Sequence, residues 1–555
     1  MARDDLVRVP MLLQDRQYLL DDSPEVELLV VPGFFIEVTD GRLSDGPASD
    51  RVAVADVSDG GRAARPPARL LPPVGARHVR SFEFDEDLLD PDRVDPLRLE
   101  DDTFVQLHVF ACVHATLKFF EQLLGRRVRW ASRDEQLALF PWAGTGRDAY
   151  YERESGSIRF LSYTTAEGRH ILLALSRDIV AHEAAHAIVD AVAPDLYDAT
   201  DPDSLTIHEA VGDLSALMQT LVDENMLFSA YALFGGDVDG LEALGRLAEE
   251  FGTDLRRGEG AAALRSAASD AAFNANEEHR SVVDRWDPHE ASAVVVGALF
   301  AALRERADSS GRSFERAILT AARELARIVV PALNRLPAGE VSLCDFARAL
   351  DSAARETSAG SRWMRAIIRQ LVDRGVADDA ASLRAPLPSP EPLDGWPGAP
   401  AELVEANRER LAVPPDASPL ATSEEFYDRA WSKNPRRRVQ LRVAWDVEEV
   451  HDLGYGLSDG WRFRAGTTAI VEADTGIPVS ILTGSAAGKA WARRDQQLRR
   501  WASTGLLLAR AHPTNALVRV DDDRRQRVVG TARTLHLLQP DAPQSGAKAR
   551  GRSRK

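Results

Sequence analysis

The chain has 555 residues, of which 44% are hydrophobic and 28% charged, with a formal net charge of −18. That length exceeds one ordinary core and implies two or three domains, and the composition is that of a soluble globular protein rather than a disordered or membrane-embedded one. The acidic balance argues against a nucleic-acid binder, which needs clustered Lys and Arg, and the two cysteines, Cys112 and Cys344, are too few for a disulfide framework.

The N-terminal "MARDDLVRVPMLLQDRQYLL" carries acids where a signal peptide needs a basic head and an apolar core. "VELLVVPGFFIEV" is broken by Pro32 and Gly33 and is too short to span a bilayer, so it reads as a buried strand. A cytoplasmic location without membrane contact is the expectation. Residues 1–100 form a β-rich and loop region, with short strand-like runs between turns such as "DGGRAARPPARLLPP". From Asp101 the period changes to helical, with Phe104, Leu107, His108, Ala111, Leu117 and Phe120 at three- and four-residue spacing. His108 and Cys112 also stand four apart, and on so apolar a helix they are expected in the core. "DAYYERESGSIRFLSY" alternates like a hairpin, and helical patterns then dominate from Ser176 to about Val376. Residues 101–376 are taken as the core domain and 377–420 as a Pro-rich linker, extended or laid along a surface. Strand-like runs in 421–540 predict a smaller β-rich C-terminal domain, with Asp474-Thr475-Gly476 at a hairpin turn, and residues 541–555 a basic disordered tail. The fold class is α+β.

The run "RDIVAHEAAHAIVDAV" places His182 and His186 four residues apart on one helix face. Two neutral imidazoles so arranged reach one tetrahedral Zn²⁺. Glu183 is rotated off that face, where a carboxylate takes a proton from water without ligating the metal. This is the H-E-x-x-H pattern. A zinc hydrolase needs a third protein ligand, and "DPDSLTIHEAVGDLSALM" supplies Glu209 and, one turn on, Asp213. Asp213 is positioned to accept the second ring N–H of a zinc histidine. Both acids lie among apolar residues, where carboxylates without partners are costly. Pro202, with Asp203 and Ser204 as cap candidates, starts that helix.

"HEAAH" followed by "HEAVGD" resembles the gluzincin metallopeptidases, in particular the thermolysin-like group with H-E-x-x-H and then E-x-x-x-D. The resemblance covers roughly residues 101–375 and implies a two-lobed zincin-like core, strand-rich before helical, with the cleft between. It implies His182, His186 and Glu209 as zinc ligands, Glu183 as general base and Asp213 as support. It further implies Tyr197 and His289 as donors to the tetrahedral intermediate, with Asp284 or Asp287 orienting His289. "DAYY" is similar to the family's substrate-binding edge strand and gives Asp148 and Ala149, although Asp stands where the family has Asn. The segment between Tyr197 and Glu209 is longer than in the family, and the C-terminal domain is additional.

The expectation is therefore a zinc peptidase acting on a peptide or protein, with a protein partner for the C-terminal domain. A gluzincin aminopeptidase is the nearest rival, but its G-x-M-E-N motif does not occur. The other alternative is a latent or non-catalytic zinc protein acting through its flanking domains. An intact Glu183 speaks against a mere scaffold. No nucleotide-binding glycine motif follows a strand.

Overall fold

The computed structural model of the protein describes residues 5–12, 34–40, 43–56, 65–73, 79–89, 98–132, 135–224, 263–274, 281–450, 460–484 and 489–503, together with short pieces at 227, 241, 244–248, 252, 517–520 and 526–529. The expected tail at 541–555 lies outside the described residues. The architecture is mixed α+β, with nine helices and several small sheets among the described residues.

Helix α1 (Asp102–Leu124) runs through the centre. Asp101 caps it, its carboxylate accepting the Phe104 N–H at 2.9 Å, and Gly125 closes it with φ of 70°. A Cβ at Gly125 would lie 1.9 Å from the Tyr427 carbonyl oxygen, and the Tyr427 N–H donates to the Gly125 carbonyl at 3.0 Å, so glycine admits a strand of the C-terminal sheet here. The helix is long and apolar enough to cross a membrane, but most of it is buried inside the molecule. His108 and Cys112 are core residues, as expected. His108 Nδ1 accepts the Leu12 N–H at 3.0 Å, and burial pushes the Cys112 thiol up to about 12.

Strands follow in chain order as β1 (Asp5–Met11), β2 (Phe34–Asp40), β3 (Val52–Val54), β4 (Val79–Ser81), β5 (Leu137–Phe140), β6 (Ala149–Glu152), β7 (Ser157–Phe160), β8 (Ser162–Thr164), β9 (His170–Leu172), β10 (Arg246–Leu247) and β11 (Arg265–Ser266). One sheet has the order β2-β1-β4 and another β3-β5-β7-β6, with β6 at the edge and antiparallel to β7. The hairpin expected from "DAYYERESGSIRF" is β6–β7. The helices α2 (Arg177–Val192), α3 (Pro202–Leu221), α4 (Pro288–Asp308), α5 (Phe314–Leu333), α6 (Leu343–Ala354) and α7 (Gly360–Asp373) share one hydrophobic core with α1 and the first strands.

A second core lies under an antiparallel meander, β12 (Leu420–Asp428), β13 (Arg436–Val450), β14 (Gly460–Glu472) and β15 (Pro478–Thr483). Asp474-Thr475-Gly476 forms its last hairpin turn, as expected. Much of the proline-rich stretch is seated on this sheet: Leu393, Leu403, Val404, Leu411 and Val413 are buried in its core, and α8 (Pro400–Ala406) packs beside β12. The prolines keep the chain extended, but the leucines and valines between them supply the anchors. Helix α9 (Lys489–Ser503) follows the sheet, and a short hairpin, β16 (Leu517–Val520) and β17 (Gln526–Val529), comes last.

Two imidazoles of α1 link stability to pH. Burial, reinforced by Arg177 beside His108 and by Arg51 beside His114, holds both down at about 3. Below the ordinary histidine value the unfolded chain takes up the protons and the folded chain does not. This part of the stability is therefore complete above pH ~6.5 and falls as pH drops toward 3, by about 1.4 kcal/mol per pH unit per histidine. Urea unfolding at pH 7 and pH 5 is expected to show His108→Gln losing about 2 kcal/mol less than wild type over that interval. An identical pH slope in both proteins would contradict the assignment.

Candidate metal centre

Ser176 opens α2, its hydroxyl accepting the Ile179 N–H at 3.4 Å. The cap of α3 is Asp201, which accepts the Asp203 N–H at 2.9 Å, rather than the expected Asp203 or Ser204. Pro202 occupies the first helical position, so the cap must precede it. The two helices pack directly on each other, and Gly212 lies in their contact. A Cβ there would lie 2.6 Å from His182 Cε1 and 2.7 Å from His182 Nδ1. Glycine within a helix costs about 1 kcal/mol relative to alanine. Here it makes room for an imidazole.

His182, His186 and Glu209 converge, one ligand atom from each lying within 4.8 Å of the others, and together they could hold a metal ion. His182 Nε2 is 3.5 Å from Glu209 Oε2, and His186 Nε2 is 3.7 Å from Glu209 Oε1. Donors bonded to one tetrahedral ion at zinc distances stand roughly 3.3 Å apart, so the set is somewhat wider than around a bound ion and closes on one by drawing in. The electrostatics agree. Burial opposes a charged His182 ring, but the hydrogen bonds and charges of Asp213 and Glu209 outweigh it and hold the ring up at about 10. A point that favours an imidazolium so strongly also favours a cation in its place.

The support around these ligands is more extensive than spacing alone implied. The Asp213 carboxylate faces His182 Nδ1 at 3.0 Å, receives the Ser292 hydroxyl at 3.2 Å, and pairs with the Arg265 guanidinium. Arg265 reaches Glu209 as well, at 3.7 Å. Burial works against ionising Asp213, but Arg265 and His182 prevail and keep its carboxyl below the usual range. With Asp213 bonded to Nδ1, the Nε2 lone pair of His182 is directed to the ligand side. His208, next to Glu209, stacks on His186 with ring centres 4.3 Å apart and planes 7° from parallel. Arg265 and Ser292 had no signal in the sequence. Gly212 had one, as the lone glycine within an otherwise helix-forming run.

Glu183 is buried, and its Oε2 accepts the Tyr151 N–H from β6 at 3.1 Å. The pairing of Leu161 N–H with the Asp148 carbonyl sets the alternation of the hairpin, which turns the main-chain groups of Ala149 and Tyr151 to the free edge of β6. Ala149 is thus on an edge strand beside the general-base candidate, and Asp148 is held just before it. The Tyr151 hydroxyl donates to Asp190 at 2.8 Å, and Arg153 forks onto the same carboxylate, so β6 is clamped to α2.

The remaining candidates divide. His289 comes to the cluster, its Nε2 3.5 Å from Glu209 Oε2. Asp287 caps α4, accepting the His289 and Glu290 N–H groups, and lies 3.7 Å from His289 Nδ1. Asp284 is not beside His289. Its carboxylate pairs with Arg500 of α9 at 2.7 Å, because it precedes the cap and faces outward. The Tyr197 hydroxyl accepts the Arg153 N–H at 3.2 Å, and the Arg153 guanidinium lies 4.1 Å from the Tyr197 ring centre. Tyr197 therefore backs β6, with His208 between it and His186.

A scan against protein-family models and a search of curated proteins returned no match. The candidate metal centre rests on the convergence of His182, His186 and Glu209.

Gly212→Ala is expected to raise helix propensity yet weaken divalent-metal affinity at least tenfold, because the new methyl displaces the His182 ring. Competition titration with a chromogenic chelator measures this. Unchanged affinity with a higher Tm would show that the cradle is not needed.

Proposed function

We propose that the protein is a zinc-dependent peptidase of the gluzincin type, built on a two-lobed zincin-like core with the strand-rich part before the helical one. The observation that carries this reading is the convergence of His182, His186 and Glu209 with Glu183 next in the chain to the first ligand. Two imidazoles and one carboxylate are a donor set that suits zinc and leave a coordination position open, as a catalytic site requires. Zinc, when bound, acidifies a water and polarises the scissile carbonyl.

The chain's own residues do the rest. Glu183, oriented by the Tyr151 N–H, takes a proton from the attacking water and returns it to the leaving amine. His289, steadied through Asp287, donates from Nε2 to the developing oxyanion. The outward-facing main chain of β6 pairs with an extended peptide, which places the cut beside Glu183. Tyr197 is assigned to the support of β6 instead, since its hydroxyl oxygen accepts the Arg153 N–H and the His208 ring stands between it and His186. The substrate is a peptide or protein, met in the cytoplasm, and neither a membrane nor a nucleic acid is required.

Elemental analysis is expected to give one zinc per chain in wild type and in Glu183→Gln. Metal affinity should fall about 10–100-fold in Asp213→Ala and further in Glu209→Ala. Casein and a mixed peptide library, assayed in parallel, should be cleaved by wild type and about 10²–10⁴-fold more slowly by Glu183→Gln. Freshly prepared protein without zinc would overturn the reading, and so would cleavage that survives Glu183→Gln.

A further inference from the structure

Away from the candidate metal centre, a groove of about 590 Å³ opens between β15 and the first prolines of the proline-rich stretch. Its volume is that of a ligand site. One wall is the edge of the C-terminal sheet, where β15 has β14 on one side only. The Gly484 N–H donates to the Gly466 carbonyl, which fixes the alternation along β15. The main-chain groups of Leu482 therefore turn to β14, and those of Ile481 and Thr483 turn to the groove. Among the described residues, no protein group hydrogen-bonds to these outward groups.

The opposite wall is Pro386-Leu387-Pro388, and Leu387 is 82% exposed. Three guanidiniums, Arg348, Arg384 and Arg410, also line the groove, and no acidic residue does. Arg348 pairs with Asp345 at 3.0 Å and Arg384 with Asp351 at 2.7 Å, but Asp351 also serves Arg355. Arg410 donates to the carbonyl oxygens of Pro392 and Glu391 and has no carboxylate partner among the described residues. The groove therefore offers an open strand edge, an exposed apolar side chain and an excess of positive charge, in a chain whose net charge is −18.

We infer that this groove binds an extended acidic peptide, which adds a strand to the free edge of β15 and directs its carboxylates to Arg348, Arg384 and Arg410. Main-chain pairing with Ile481 and Thr483 supplies affinity, and the guanidiniums select acidic over basic sequences. The occupant is an acidic segment of a partner protein, which the arginines of the groove complement. The groove is independent of the metal reading and stands or falls separately.

The test is fluorescence anisotropy of the full-length protein with a blocked, fluorescein-labelled peptide of alternating Glu and Val, beside its Lys and Val counterpart. Peptide integrity is checked by mass spectrometry. The acidic peptide is expected to bind at least about tenfold tighter than the basic one, and Arg384→Glu/Arg410→Glu is expected to remove that preference. Ile481→Pro deletes an edge N–H that β14 does not use and should weaken binding about tenfold. Leu387→Asp, at an exposed position the fold does not need, should weaken the acidic peptide about fivefold or more even if the arginine variant fails to fold. Equal binding of the two peptides, no binding up to millimolar peptide, or unchanged affinity in Leu387→Asp and Ile481→Pro would overturn the proposal. Complete displacement by millimolar inorganic phosphate would also overturn it, by reassigning the groove to small anions.

Discussion

The candidate centre depends on how closely α2 and α3 approach each other. His182 occupies the space where any other residue at position 212 would place a Cβ, and from there it reaches Glu209 on one side and Asp213 on the other. Asp213 then gathers a ring nitrogen from α2, a guanidinium from β11 and a hydroxyl from α4. A buried carboxylate without such partners would be strongly destabilising. With them, it fixes three elements around one point, and the orientation of the ligands follows.

The same logic extends to the connection between the two ligand helices, which the C-terminal module grips. Arg442 of β13 reaches both the Val192 carbonyl at the end of α2 and the Asp195 carboxylate. Glu340 accepts the Thr200 N–H and hydroxyl and is itself paired with Arg494 of α9. Arg493 engages Asp201, the cap of α3, and Arg285 forks onto Asp203. These acids are buried, and each has a guanidinium or main-chain partner, although burial and the nearby Asp203 and Glu340 carboxylates still push Asp201 up to about 7. The additional module is thus structurally continuous with the helices that carry the ligands.

Much of the local structure was legible because it follows from short-range rules. The helical period from Asp101 and the β6–β7 hairpin are set by residues within a few positions of one another. His182, His186, Glu209 and Asp213 share that property, since helical spacing alone puts each pair on one face. What the sequence did not disclose depends on distant chain. Arg265 reaches Asp213 across 52 residues, and the Tyr151 N–H reaches Glu183 across 32. The resemblance offered Asp284 or Asp287 beside His289, and Asp287, the cap of α4, is the one that lies next to the ring. Composition marked the proline-rich stretch as extended, but its seat on the sheet depends on where Leu393, Leu403 and Leu411 fall.

The grip on the α2–α3 connection has a consequence in time. Arg442 is 247 residues beyond Asp195, and Arg493 is 292 beyond Asp201. A ribosome adding about 5–20 residues per second leaves the connection without these partners for some tens of seconds after it has been synthesised. The helices of the candidate centre are made well before the residues that hold the segment between them. The order of synthesis thus separates the making of the two helices from the arrival of the residues that grip their connection.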